Sequence, residues 1–221
     1  LPDVPDRSQL KVQAAIISKE GSMIDSYELC LEVFPHNKEN LGRICLLGAT
    51  DSFVQKLQSE FEFEAVSAEQ LSERVTIFVC NYEEYQKRED EITDMVRKGA
   101  KLFLMRLPEG RHTAAGEEIL VKKCGNGPVH FVARSKDNPL TRDLKSDDVR
   151  YWYDEEKGCI SPILSETFDA QDFETILSSA NLDEHNEEKV DVGKWKVAYA
   201  VARKSVGSGK VIICQIDLST R

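Results

Sequence analysis

The chain has no apolar run near the roughly 20 residues needed to cross a bilayer, and no signal-peptide pattern. It also lacks C-x-x-C or Cys/His ligand spacing. Its six cysteines and four histidines are scattered, so neither a disulfide framework nor a zinc site is legible. Basic residues are outnumbered 29 to 39, and the formal charge of −10 argues against a sequence-independent grip on DNA or RNA. No membrane, nucleic-acid, metal or cofactor partner is expected. Reduced thiols favour a cytoplasmic setting. With no internal repeat or low-complexity tract, 221 residues suit one large domain, or one plus a fragment. The chain opens on Leu1 rather than Met and reads as part of a longer protein.

The most patterned stretch is Leu41–Leu107, which reads as two consecutive strand–helix units and a third strand. Leu41–Ala49 is an apolar run stopping at Gly48, typical of a strand buried on both faces of a parallel sheet. Asp51 can cap a helix that puts Phe53, Val54, Leu57 and Phe61 on one side. Arg74–Cys80 is a second apolar strand, and Ile92, Met95 and Val96 mark a second helix closed by Lys98-Gly99. Lys101–Leu107 is the third strand. Alternating β and α elements of this length predict a parallel sheet with helices on its faces.

The first forty residues stand apart. Lys11–Ser18 and Ser26–Pro35 read as two strands joined by a short loop, with Tyr27, Leu29, Leu31 and Val33 on one face by the period of two. This predicts the last hairpin of a preceding β-sandwich in residues 1–40, and an α/β domain in 41–221. Residues 111–133 suggest a β-excursion turning at Gly125-Asn126-Gly127-Pro128. Phe173, Ile176 and Leu177 suggest one side of a helix, and Asn181–Val190 a charged loop. Trp195–Lys204, Gly207-Ser208-Gly209 and Lys210–Leu218 form a closing hairpin pattern. The glycines there are a turn and not a phosphate loop, because a strand follows.

Three pieces taken in order carry a resemblance: the Leu41–Leu107 pattern, the Asn138-Pro139-Leu140 segment with its aromatic cluster, and the Gly209–Leu218 strand. They resemble the non-catalytic class I glutamine-amidotransferase-like (flavodoxin-like) domains of glycoside hydrolases. Examples are the β-galactosidase trimerisation domain and C-terminal regions of family 2 enzymes. The resemblance implies a three-layer α/β fold for 41–221. It also implies an accessory structural or oligomerisation role in a bacterial glycosidase, whose catalytic residues lie elsewhere. Partners would be other domains of the same parent chain, another copy, or carbohydrate. Active amidotransferases of this fold place a Cys in a G-x-C-x-G elbow after the third strand. Here that region is Leu104-Met105-Arg106-Leu107-Pro108, without the thiol. Cys80 ends the preceding strand, and no base for it is legible.

Among the remaining candidates, Tyr151, Trp152 and Tyr153, with Asp148 beside them, could form a sugar-stacking platform with a polar group for hydroxyls. The alternative is that Trp152 enters the core while both tyrosines point outward. The acidic pairs Asp147-Asp148 and Glu155-Glu156 have no special claim among 39 carboxylates. The readings that emerge are a structural accessory domain, a carbohydrate-binding module, or an independent amidotransferase-like hydrolase.

Overall fold

The computed structural model describes residues 4–35, 38–125, 127–182 and 195–218. His36, Asn126, His185 and nearly all of the expected charged loop lie outside the described residues. Backbone contacts divide the chain into two units: one ends at Asn40 and includes Glu60–Glu62, and the other comprises Leu41–Ser59 and Phe63 onward.

The first unit is a long antiparallel hairpin of β1 (Ser8–Ile17) and β2 (Met23–Val33). Its register sets Leu10 opposite Leu31, Val12 opposite Leu29 and Ala14 opposite Tyr27, so one face is continuously apolar. The opposite face carries charge, with Lys11 paired to Glu28 at 2.8 Å. Arg7 pairs with Glu32 and lies over the Phe34 ring. Val33 is buried, but Ile16, Met23 and Tyr27 are 60%, 64% and 67% exposed. A two-stranded hairpin gains too little burial by itself to be more than marginally stable.

The second unit, apart from the few terminal residues already assigned to the first, begins with β3 (Asn40–Leu47), α1 (Asp51–Glu60), β4 (Glu62–Ala65) and β5 (Thr76–Val79). Then come α2 (Tyr82–Gln86), α3 (Glu89–Lys98), β6 (Lys101–Met105), β7 (Gly110–Ala114) and β8 (Glu117–Lys123). Short strands β9 (Ala133–Arg134), β10 (Tyr153–Asp154) and β11 (Cys159–Ile160) follow, separated by 3-10 turns. The chain finishes with β12 (Glu166–Ala170), β13 (Glu174–Leu182), β14 (Trp195–Val206) and β15 (Gly209–Cys214). The main sheet runs β4-β3-β5-β6-β15-β14-β12-β8-β7, with β13 on β14 and β9 on β13. Strands β3, β5, β6 and β15 are parallel, whereas β15–β14, β14–β12, β12–β8 and β8–β7 are antiparallel.

This architecture overturns the expected three-layer flavodoxin-like fold. Strand accounts for 48% and helix for 18% of the structure, and the sheet is mixed. The strand–helix reading of 41–107 matches local elements, but only α3 covers its sheet as a helical layer should. Its Ile92 and Val96 are fully buried with Ile77, Leu102, Leu104 and Ile213. The ten-residue α1 has no buried residue. Phe53 meets the Phe78 ring, which stacks on Phe103 at 4.5 Å. Thr50 rather than Asp51 caps it, accepting the Phe53 N–H at 3.3 Å, and Phe61 lies beyond its end. A second core cluster of Val132, Val149, Ile163, Leu164, Ile176 and Ile216 draws mainly on irregular segments and antiparallel strands.

The helix expected at Phe173–Leu177 is also corrected: these residues lie at and in β13. Register breaks at Thr175/Leu177 and Leu177/Ser178 turn Ile176 and Leu177 both inward. A bulge therefore mimics helical spacing. The expected excursion has one regular arm, β8. Its return segment bridges to other chain at Val129–Leu164 and Phe131–Arg150 instead of pairing back on β8. The closing hairpin is present as β14–β15, with Val206 opposite Gly209.

Candidate functional site

The carboxyl ends of β3, β5 and β6 converge on a crevice of about 450 Å³ lined by Gly48, Thr50, Phe53, Cys80, Arg106 and Glu166, among others. This is where parallel strands present binding loops. Gly48 (φ +71°) permits the convergence, because a Cβ there would lie 2.4 Å from that of Asn81. The Cys80 N–H donates to the Leu47 carbonyl at 2.9 Å, tying the ends of β3 and β5 together. Asn81 then caps α2, accepting the Glu83 N–H at 2.9 Å.

The tip of β6 is secured by its own polar groups. Arg106 takes a positive φ of 48° and its guanidinium meets Asp217 at 3.0 Å. The Gln215 side-chain amide accepts the Leu107 N–H at 2.8 Å and donates to the Leu107 carbonyl at 3.0 Å. Burial pushes the Cys80 thiol up to about 11, leaving roughly one thiolate in ten thousand at pH 7. No imidazole lines the crevice among the described residues. Nor do they contain a His/Cys/Asp/Glu group arranged to hold a metal ion. Glu166 is half-buried in the crevice wall and has no hydrogen-bond or ion-pair partner among the described residues.

A larger cleft of about 720 Å³ lies beside β7 and includes Tyr82, His112, Glu117, Asp169 and Lys204. Some of its charges are paired: Lys204 meets Glu117 at 2.6 Å, and Asp169 meets Lys196 at 2.8 Å, while Arg111, Glu118 and Asp172 also line it. His112 Nε2 lies 2.6 Å from the Pro108 carbonyl and donates to it. The Tyr82 hydroxyl accepts the Thr113 N–H at 3.1 Å and donates to the Thr113 carbonyl at 2.9 Å. The Tyr85 hydroxyl accepts the Ala115 N–H at 2.8 Å. Two helix tyrosines thus occupy backbone groups along the free edge of β7, where another strand would otherwise pair. Spacing alone could not reveal this, because α2 was not legible as a helix.

The proposed sugar platform separates into two kinds of residue. Trp152 is half-buried against the second core cluster, and its indole N–H donates to the Asp148 carbonyl at 2.7 Å. The Asp148 carboxylate accepts the Lys145 N–H at 2.7 Å. Tyr151 and Tyr153 are 57% and 58% exposed. Tyr151 adopts φ +54°, held by its N–H bond to the His130 carbonyl at 2.8 Å. Asp147 faces Arg150 at 3.4 Å and Glu155 faces Lys56 at 3.5 Å.

Next to this segment, Asp154 is a fully buried carboxylate that sequence reading missed. It accepts the Lys157 ammonium at 2.6 Å, the Lys157 N–H at 3.0 Å and the Ser161 hydroxyl at 2.9 Å. The Lys157 side chain, more than any other group, holds its carboxyl well below the usual carboxylate range. The only signal in sequence was the Asp154–Lys157 spacing before Gly158, which is the chemistry of a tight turn.

No family model matches the chain, and no curated protein does. A solved structure described as cytoplasmic protein STM1381 from Salmonella typhimurium LT2 is similar at 8% identity. The match covers 97% of this chain and 87% of that one with a TM-score of 0.38. That likeness is too distant to assign fold or function. The mixed, strand-rich sheet corrects the resemblance to amidotransferase-like domains of glycoside hydrolases, for which no link is found. No helix of the described residues is long and apolar enough to cross a membrane.

Proposed function

We propose that this chain is a non-catalytic interaction module whose first unit docks on an apolar β-sheet face of a neighbouring domain. The observation that carries this reading is the uncharged face of Leu10, Val12, Ala14, Tyr27, Leu29 and Leu31, while Lys11 and Glu28 pair on the opposite face. An apolar face about 14 Å long and 10 Å wide, estimated from strand rise and spacing, suits sheet-on-sheet packing as in a β-sandwich. A polar or charged partner surface would gain nothing from it. The crevice supports the non-catalytic part, because its thiol stays protonated and the groups at the β6 tip are engaged in holding the loop. Six cysteines without a disulfide suit a reducing, cytoplasmic setting.

Hydrogen exchange on the full chain, paired with sedimentation, tests this. The chain should be monomeric, and β1–β2 amides should exchange at least a hundredfold faster than those of β6 and β15. Hairpin protection equal to the sheet's would show that no cover is needed and refute the reading. So would a homodimer broken by Tyr27→Asp, because a second copy would then be the cover.

A second reading, carbohydrate binding, rests on the exposed rings of Tyr151 and Tyr153 alone. It requires oligosaccharide affinity that falls in Tyr151→Ala and Tyr153→Ala. Unchanged or absent affinity eliminates it.

A further inference from the structure

We infer that the crevice at the tips of β3, β5 and β6 binds a small organic cation, an ammonium group carried on an apolar body, with Glu166 as its counter-ion. Three observations converge. The volume of about 450 Å³ falls within the range of small-molecule sites. About half of its wall is apolar, from Phe53, Met105, Leu107 and Pro108. Met105 adds an adaptable thioether that can follow a ligand's shape. Into this wall projects the half-buried Glu166, a carboxylate that no described cation or donor satisfies. Such a group, partly withdrawn from water, gains most from an ionised donor.

The local charge selects the sign of the ligand. Arg106 also lines the crevice, but Asp217 engages its guanidinium at 3.0 Å. Of the two charged groups lining the crevice, Arg106 is therefore engaged, and Glu166 is the one without a described partner. Asp51, in the first turn of α1 next to Thr50, opposes an anion further. The site binds and does not react, so it adds a ligand to the crevice without requiring turnover.

The probe is 2-phenylethylammonium, titrated calorimetrically into the full chain, with 2-phenylethanol and phenylacetate as matched neutral and anionic bodies. Saturable one-to-one binding of the cation is expected, at least tenfold tighter than either analogue and weakened at least tenfold by Glu166→Gln. Amide shifts at Gly48, Cys80 and Arg106 on titration locate it in the crevice, and an unchanged melting temperature shows that the variant is folded. Absence of saturable binding overturns the inference. Equal binding of phenylacetate, full affinity in Glu166→Gln, or shifts confined to other regions does the same. The hairpin takes no part in this experiment, so its outcome is independent of the docking reading.

Discussion

Removing a single oxygen from Tyr85 separates a buried hydrogen bond from an exposed one of the same chemistry. Tyr85→Phe keeps the fully buried ring but deletes the hydroxyl that accepts the Ala115 N–H at 2.8 Å and donates to Glu89 at 3.4 Å. Ala115 is 2% exposed, so no water replaces the lost acceptor. An orphaned buried donor costs about 1–3 kcal/mol, and losing the hydroxyl's own desolvation brings this to about 1–2 kcal/mol. Tyr82→Phe deletes two bonds to Thr113, yet that residue is exposed and water takes them over. Its cost should stay below about 1 kcal/mol despite the larger count. Urea unfolding followed by tryptophan fluorescence reads the second unit, which holds both Trp152 and Trp195. At a slope near 2 kcal/mol per molar urea, Tyr85→Phe should lower the midpoint by roughly 0.5–1 M.

The same residue predicts an alkaline slope. Burial pushes the Tyr85 phenol up from its ordinary value. The unfolded phenol ionises near pH 10, so above that pH the native state alone retains the proton. Its contribution is fully present below pH 10 and lost as pH rises toward the folded value. The gap between wild type and Tyr85→Phe should therefore narrow above about pH 10. Equal costs for the two phenylalanine variants, or a gap that does not narrow, would refute the reasoning.

Further expectations can be measured on the same chain. Gly209→Ala should be among its most damaging small substitutions, because a Cβ there would lie 2.1 Å from the Val96 carbonyl oxygen and 2.2 Å from that of Ala100. A loss above about 3 kcal/mol is expected in urea unfolding, where one below 1 would contradict the close approach of α3 to β15. Ile92→Ala, at a fully buried site on α3, should cost about 2–5 kcal/mol by the same assay. Thiol labelling should modify exposed Cys30 and Cys159 within minutes and leave Cys45, Cys124 and Cys214 unmodified until unfolding. Rapid reaction at Cys80 at neutral pH would contradict a thiol raised to about 11. Asp154→Asn should loosen the β10–β11 turn at neutral pH. In wild type that support is present above the ordinary carboxylate pKa and lost as pH falls through the depressed folded value. An unchanged exchange rate for the Lys157 N–H in the variant would discount the carboxylate's role.

Local elements follow from local pattern here. The apolar runs ending at Gly48, Cys80 and Leu107, the amphipathic spacing of Ile92 and Val96, and the glycine turn before β15 are readable because each reflects neighbours within a few residues. The first hairpin's apolar face is readable for the same reason, since a period of two is a property of one strand. Partners distant in sequence decided the rest. Periodicity does not say whether an apolar strand pairs in parallel or antiparallel, so β8, β12 and β14 were invisible as the larger half of one sheet. The β13 bulge gave Ile176 and Leu177 a helical spacing, and only the register with β14 reveals the extra residue. The crevice joins Gly48, Cys80, Arg106 and Glu166 across more than a hundred positions. The solvation of Cys80 and the unanswered charge of Glu166 depend on which atoms surround them, and that is settled only when the strands assemble.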